Sequence, residues 1–97
     1  MEKKMKLPVR YSKMTPSERR EIREEYIKRQ EGKCFYCHNL LSDPPPDFVM
    51  EYDVNWTLFP PNFLKHPVHL QHNHYTDMTE GAVHSRCNAV MWQKDGR

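Results

Sequence analysis

The chain has little apolar sequence and no long apolar run. Hydrophobic residues make up 37% of its 97 residues and the mean hydropathy is −0.96, so its core must be small and marginally stable without a cross-link or a metal. No stretch has the ~18 consecutive apolar residues of a membrane-spanning helix, and residues 1–6 lack the apolar run of a signal peptide. We therefore expect one soluble, cytoplasmic domain with no membrane partner.

Cysteine and glycine are also scarce. The three cysteines cannot all pair as disulfides, and a Cys-x-x-Cys pair in a chain with six histidines is more typical of a metal site in a reducing compartment. Three glycines against eight prolines indicate stiff connections and disfavour layered sheets. An intracellular metal-binding protein is the expectation.

Charge is unevenly distributed along the chain. Residues 1–33 carry 11 Lys/Arg and 6 Asp/Glu, a net charge of +5, whereas residues 34–97 carry 4 and 7, a net charge of −3. A basic part beside a histidine-rich, more acidic part suits a protein that contacts phosphates with one and holds a cation with the other. A solvated helix of mixed charge explains the same distribution equally well.

A helix is predicted over residues 15–31. Thr15 can act as the N-cap, Pro16 suits the first helical position, Glu18 completes a capping box, and Gly32 is a typical terminator. The apolar side chains expected to be buried are Ile22, Tyr26 and Ile27. The cationic side chains expected to stay in water are Arg19, Arg20, Arg23, Lys28 and Arg29. This apolar stripe is narrow, so the helix needs a partner surface for stability.

The middle of the chain is predicted to be mostly irregular. Residues 33–39 suggest a tight turn that forms a zinc knuckle. The three prolines within residues 43–47 exclude a helix or a central strand there. Aromatic and apolar residues at 48–64 predict irregular chain that covers a core, with a brief strand at 54–58.

The C-terminal third predicts two strands and a helix in that order. The strands are expected at 67–72 and 80–85, with a turn at 73–79 between them, and the helix at 86–94. The expected fold class is therefore α+β, a small domain with an N-terminal helix, a long irregular proline-rich connection and a ββα unit.

Two pairs of potential metal ligands frame this region. Cys34 and Cys37 form one pair, and His84 and Cys87 form the other, which together match the four donors of a structural zinc site. His38 is a substitute ligand, but its position directly after Cys37 points its ring away from an ion. A redox Cys-x-x-Cys site and free thiols in the core are the alternatives, although the βαβ context typical of redox sites is missing.

The segment from Pro67 to Gln93 combines a strand that ends in His72 with His84-x-x-Cys87-Asn88 at the start of a helix. Together with the Cys-x-x-Cys pair it resembles HNH endonucleases (the ββα-metal or His-Me finger superfamily), especially the zinc-containing endonuclease VII branch and short phage-encoded HNH proteins. The resemblance covers roughly residues 33–93. It implies a nuclease domain over residues 15–97, held together by structural Zn²⁺ and preceded by a basic arm at 1–14.

The resemblance also implies a role for each polar residue of the motif. His72 would be the general base that takes a proton from the attacking water. Asn88 together with Gln71 would hold a catalytic Mg²⁺ or Mn²⁺. His74 would bind a phosphate or complete the metal sphere, and His69 is a weaker candidate for either task. For His69 and His74, a surface or core histidine is an equally good interpretation.

Gln71 departs from the family pattern, because many relatives have an acidic residue or a histidine just before the catalytic histidine. Three explanations compete: Gln71 binds the ion through its carbonyl oxygen, Asp77 or Glu80 folds over from the turn, or the site is catalytically weak and serves binding. We favour the first because the rest of the motif is intact. Metal affinity should still be lower than with a carboxylate.

DNA is the expected partner, bound through phosphates without reading of sequence. The groups expected to contact it are Arg19, Arg20, Arg23 and His69. Further basic groups in or near the arm are Lys3, Lys4, Lys6, Arg10 and Lys13. A nonspecific or structure-selective cutter is expected, and cutting of both strands would require two active sites and hence a homodimer.

Two other functions compete with the nuclease. One is a zinc-containing nucleic-acid-binding adaptor with a lapsed active site, and the other is a redox or regulatory protein that uses Cys34 and Cys37. The resemblance to phage proteins further implies a host-cell cytoplasmic location and an association with the genome-packaging machinery, which holds at the family level only.

Overall fold

The computed structural model describes residues 6–95, and these form an α+β fold as expected. The helices are α1 (Pro16–Arg29), α2 (Asp47–Met50) and α3 (Ser85–Asp95), and the strands are β1 (Val68–His72) and β2 (Thr79–His84). Single 3-10 turns lie at Tyr11–Lys13 and Trp56–Leu58. Within the described part of the chain, no helix is long and apolar enough to cross a membrane.

Helix α1 has the capping box expected from its sequence. The Thr15 side chain accepts from the Glu18 N–H at 3.2 Å, and the Glu18 carboxylate accepts from the Thr15 N–H at 3.0 Å. The helix ends where Gly32, with φ +76°, donates its N–H to the Ile27 carbonyl at 2.8 Å. Glycine adopts this left-handed backbone conformation at little cost, so Gly32 terminates the helix as its sequence position predicts.

The two strands form an antiparallel hairpin with one irregularity. Leu70 pairs with Ala82 and Gln71 with Gly81, but His72 pairs with Thr79, so Glu80 is an extra residue in β2. Such a bulge reverses the facing of the residues beyond it. Thr79 therefore faces α1, where its hydroxyl hydrogen-bonds the Tyr26 hydroxyl at 2.8 Å.

Each face of the hairpin packs against its own small core. The α1 side consists of four buried residues, Ile22, Tyr26, Leu70 and Ala82. The α3 side is larger, and its buried members are Cys34, Val49, Val54, Val83, Cys87, Ala89, Val90 and Met91. A two-stranded sheet with both faces covered is more stable than an isolated hairpin, which is marginal in water.

Gln30 joins the end of α1 to the outer edge of β2. Its Nε2 donates to the Ala82 carbonyl at 2.9 Å and to the Lys33 carbonyl at 2.7 Å, and its Oε1 accepts from the Ala82 N–H at 2.9 Å. The Phe35 N–H also donates to the Ala82 carbonyl at 2.9 Å. These bonds satisfy backbone groups that an edge strand would otherwise leave unpaired.

The predicted strand at 54–58 is wrong, because this segment forms the 3-10 turn at Trp56–Leu58. The Asn55 side chain accepts from the Thr57 N–H at 3.2 Å, which favours a turn over an extended strand. The Gln93 side chain then fixes the segment to α3 by bonds to the Asn55 N–H and the Asp53 carbonyl. The proline-rich region also contains α2, an element the sequence did not predict, whose Val49 is fully buried.

The N-terminal segment runs along the hairpin turn. The Tyr11 N–H donates to the Asp77 carbonyl at 2.7 Å, and the Thr79 N–H donates to the Val9 carbonyl at 2.9 Å. The Ser12 hydroxyl and N–H both donate to the Asp77 carboxylate. Residues 9–12 are thereby fixed to the turn. Lys3 and Lys4, expected to contact phosphates, lie outside the described residues.

Candidate functional site

The four residues expected to bind zinc lie together where the knuckle meets the start of α3. The ligand atoms of Cys34, Cys37, His84 and Cys87 all lie within 4.8 Å of one another. The His84 Nδ1 lies 3.4 Å from the Cys37 Sγ and 3.5 Å from the Cys87 Sγ. Tetrahedral zinc with ordinary bond lengths separates a sulfur and a nitrogen ligand by about 3.5 Å. The cluster therefore has the donors and the spacing to hold a metal ion such as zinc.

The environment of His84 fixes which ring nitrogen faces the cluster. Its Nε2 lies 2.7 Å from the Asp43 carbonyl and 3.0 Å from the Leu40 carbonyl. Carbonyls only accept, so Nε2 carries the proton and Nδ1 keeps its lone pair for a metal. His38, the substitute ligand, is exposed and is not among the four clustered residues.

Hydrogen bonds also favour the thiolate form of Cys34, one of the three thiols of the cluster. A hydrogen bond from the Cys87 thiol, with help from backbone N–H groups of Cys37, His84 and Tyr36, outweighs the effect of burial and lowers the pKa of the Cys34 thiol to about 4. The same thiol–thiol bond, together with burial, raises the pKa of Cys87. Cys34 is thus the first of these thiols to ionise, and the thiolate is the form that binds zinc.

A cavity of about 600 Å³ opens between α1, β1 and α3. It contains most of the residues expected to act on DNA. The polar and cationic residues that line it are Tyr11, Arg19, Arg23, His66, His69, Gln71, His72, His74 and Asn88. The apolar ones are Pro16, Leu58, Phe59, Phe63, Val68, Leu70 and Trp92. Arg20, which was expected to bind DNA beside them, is exposed and does not line the cavity.

Asn88 contacts His69 inside this cavity. The Asn88 Nδ2 lies 3.0 Å from the His69 Nδ1, which places the amide N–H as the donor and the ring nitrogen as the acceptor. Burial lowers the pKa of His69, although a hydrogen bond to the Phe63 backbone opposes this effect. A neutral His69 therefore orients the Asn88 side chain, and the amide oxygen keeps both lone pairs.

His72 is held by aromatic contacts. Its ring stacks on the Tyr11 ring with centroids 3.8 Å apart and an angle of 7° between the planes, and the His74 ring lies 4.5 Å away on centroids. Burial lowers the pKa of His72, and the proximity of His74 lowers it further. The imidazole is thus neutral at physiological pH and able to accept a proton.

Gln71 is 98% buried beside His72. Its Nε2 donates to the His72 carbonyl at 3.0 Å and lies 3.4 Å from a Glu80 carboxylate oxygen. Asp77, which was one candidate for the catalytic metal, instead accepts hydrogen bonds from Ser12, and these lower the pKa of its carboxyl. Of these two acidic residues, Glu80 is therefore the one whose carboxylate reaches Gln71.

Two arginines of α1 line the cavity and are half-buried, although full exposure was expected. The Arg19 guanidinium lies 4.1 Å from the centre of the Tyr11 ring and donates to the Tyr11 carbonyl at 3.3 Å. Tyr11 is therefore sandwiched between Arg19 and His72, a role that the sequence did not reveal. Tyr11 and His72 are 61 positions apart in the sequence, so no local pattern could have indicated this contact.

Comparisons with known proteins found no matching family model, no matching curated protein and no matching solved structure. The distinctive feature of the site is a candidate zinc centre of three cysteines and a histidine, directly followed in sequence by Asn88 and next to a cavity lined by four histidines.

Proposed function

We propose that the protein is a metal-dependent DNA endonuclease of the HNH type that hydrolyses phosphodiester bonds. The observation that carries the proposal is the cavity itself, which combines His72, His74 and Asn88 with Arg19 and Arg23 from α1. Such a set supplies a proton acceptor, a hard oxygen donor and cationic contacts for phosphate, the three needs of metal-assisted phosphodiester hydrolysis.

His72 is the general base in this proposal. Its pKa lies below the ordinary value for histidine, so the ring is deprotonated at neutral pH and accepts the proton of the attacking water. The stack with Tyr11 restricts rotation of the ring. His74, which is exposed and next to His72, contacts the scissile phosphate.

Asn88 and Gln71 are the residues that would hold Mg²⁺ or Mn²⁺. Such an ion stabilises the charge that develops on the leaving oxygen. The Asn88 amide nitrogen is engaged by His69, so its oxygen is the atom offered as a ligand. Cys87 precedes Asn88, and zinc at the four-residue cluster would thereby fix the position of the amide.

Plasmid nicking tests the proposal. Zinc-loaded protein with Mg²⁺ or Mn²⁺ is expected to convert supercoiled plasmid to the nicked form, and His72→Ala is expected to lower the rate by at least about 100-fold. His38→Asn is the matched control, because His38 is exposed and its φ of +68° is tolerated by asparagine. Equal nicking by wild type and His72→Ala would refute the mechanism.

A nucleic-acid-binding adaptor is the second candidate. Gln71 favours it, because a buried neutral amide that already bonds the His72 carbonyl offers a catalytic cation less than a carboxylate would. Retention of DNA without cleavage in Mg²⁺, Mn²⁺, Ca²⁺ or Zn²⁺ would identify this function instead.

A further inference from the structure

The cavity has two chemically different walls. One is formed by the cations Arg19 and Arg23 with the neighbouring imidazoles. The other, called here the aromatic wall, consists of Phe59, Phe63 and Trp92. Phosphate binding alone needs only the first wall, so the second requires its own explanation.

The aromatic wall is a continuous series of ring contacts. Phe59 meets Trp92 edge to face with centroids 5.5 Å apart, and Phe63 lies 4.7 Å from Phe59. Phe63 in turn meets the His69 ring at 4.7 Å, and His69 contacts Asn88. The wall therefore runs from solvent at Trp92 to the residues of the proposed reaction centre.

Part of this wall remains in water. Trp92 is 37% exposed, and Leu58, which also lines the cavity, is 51% exposed. A ring that serves only the core would be more fully covered, because aromatic side chains gain most from burial. The wall thus retains apolar surface that a planar ligand can cover.

We infer that the cavity takes an unpaired nucleotide of DNA, with its phosphate toward Arg19 and Arg23 and its base against the aromatic wall. Bases in duplex DNA stack on one another and offer their faces to no protein ring, whereas an unpaired base stacks on aromatic side chains. A volume of about 600 Å³ lies within the range of pockets that enclose small molecules. For cleavage, the inference rests on the proposed function and names its substrate class: DNA with single-stranded segments.

Binding measurements test the inference without any cleavage. Fluorescence anisotropy would compare a labelled 12-nucleotide single strand with the matching duplex, at fixed salt and without added Mg²⁺ or Mn²⁺. The single strand is expected to bind more tightly. Trp92→Leu is expected to weaken single-strand binding by about 10-fold and to lower the ratio of single-strand to duplex affinity.

Trp56→Leu is the matched control. Trp56 is 39% exposed, close to the value for Trp92, and it lies outside the cavity beneath the Arg86 guanidinium. Its ring packs on Phe59 with centroids 5.9 Å apart, so Trp56→Leu tests whether support of the wall alone, without a ring that lines the cavity, affects binding. It is expected to keep the affinity ratio of the wild type. A similar fall in the ratio for both variants, or no preference of the wild type for single strands, would overturn the inference.

A second measurement does not depend on how Trp92→Leu folds. The chain has two tryptophans, so Trp56→Phe leaves Trp92 as the sole indole emitter. Its fluorescence is expected to be quenched by the single strand and not by the duplex, and unchanged emission with bound single strand would refute stacking at this wall.

These outcomes separate the inference from the nuclease proposal. Single-strand preference and quenching without cleavage in any metal would refute the endonuclease and uphold the nucleotide site. Cleavage with equal affinity for single strands and duplex, and without quenching, would uphold the endonuclease and refute the nucleotide site.

Discussion

Gln30→Ala, at the C-cap of α1, is expected to destabilise the fold strongly, although Gln30 lies outside both buried clusters. The substitution removes three hydrogen bonds, two with the backbone of Ala82 and one with the Lys33 carbonyl. Ala82 is fully buried, so its N–H would lose its acceptor in a place that water reaches poorly. The Ala82 carbonyl keeps its bond from Phe35.

The size of the effect follows from these bonds. Each hydrogen bond contributes about 0.5–1.5 kcal/mol net, and an unpaired buried donor adds a desolvation cost. We expect a loss of about 2–4 kcal/mol in the free energy of unfolding. For a domain of this length that corresponds to a fall in Tm of roughly 10–25 °C.

Gln30→Glu distinguishes the loss of hydrogen bonds from the loss of side-chain volume. The introduced carboxylate has the same outline and can accept from the Ala82 N–H, but it cannot donate to the carbonyls of Ala82 and Lys33. Gln30→Glu is therefore expected to lower the free energy of unfolding at neutral pH. This loss of stability should become smaller as the pH falls toward the pKa of the introduced carboxyl, because a protonated carboxyl can donate a hydrogen bond to a carbonyl.

Thermal and urea unfolding of the zinc-loaded protein, followed by circular dichroism, would measure these changes. Glu24→Ala on the same helix is the control, since Glu24 is exposed and its loss should change stability by less than about 0.5 kcal/mol. A loss for Gln30→Ala no larger than that of the control would refute the bridging role of Gln30.

Four further outcomes are expected. Elemental analysis should find one zinc per chain, and a strong chelator should abolish the cooperative thermal transition, whereas an unchanged melt would exclude a structural metal. Tyr11→Leu should raise the pKa of His72 toward its ordinary value of about 6.5, as followed by NMR, while Tyr11→Phe keeps the stack and leaves it low. The pKa values of His69 and His72 are both lowered in the folded chain, so on acidification the unfolded chain binds protons first. The free energy of unfolding should therefore fall as the pH drops below about 6.5. Constant stability down to pH 5 in urea titrations would contradict this. Gly81→Ala should destabilise the fold by about 1–3 kcal/mol in denaturant titrations, because the added Cβ would lie 2.9 Å from the Phe35 Cβ. A variant as stable as wild type would contradict this and show that Phe35 can shift at no cost.

The sequence predicted the elements whose signals are local. Thr15, Glu18 and Gly32 define the ends of α1 through hydrogen bonds within a few residues, and such bonds form whatever the rest of the chain does. The segment at 54–58 was mispredicted because its alternating apolar residues resemble a strand. The Asn55 side chain caps the turn that forms instead, and Gln93, 38 residues beyond Asn55, anchors this turn to α3.

In the candidate site, too, some residues could be predicted from local sequence and others depend on contacts between distant parts of the chain. The four candidate metal ligands could be chosen from residue type and spacing, since zinc accepts few donor sets. The partners that orient the site could not, because Tyr11 reaches His72 and His69 reaches Asn88 only after the hairpin packs between α1 and α3. The hydrogen bonds of Gln30 to Ala82 could not be predicted for the same reason, since a glutamine at a helix end is usually a solvated residue.

The wide separation of the two candidate ligand pairs has a consequence for how a metal-bound protein would mature. Cys37 and His84 are 47 residues apart, so a ribosome makes the first pair of donors long before the second. Two thiols alone form an incomplete site, and closure of the long intervening loop must precede full coordination. An ion would therefore be captured only after Cys87 has been synthesised, and Asn88, the next residue, would take its place in the cavity at that same late moment.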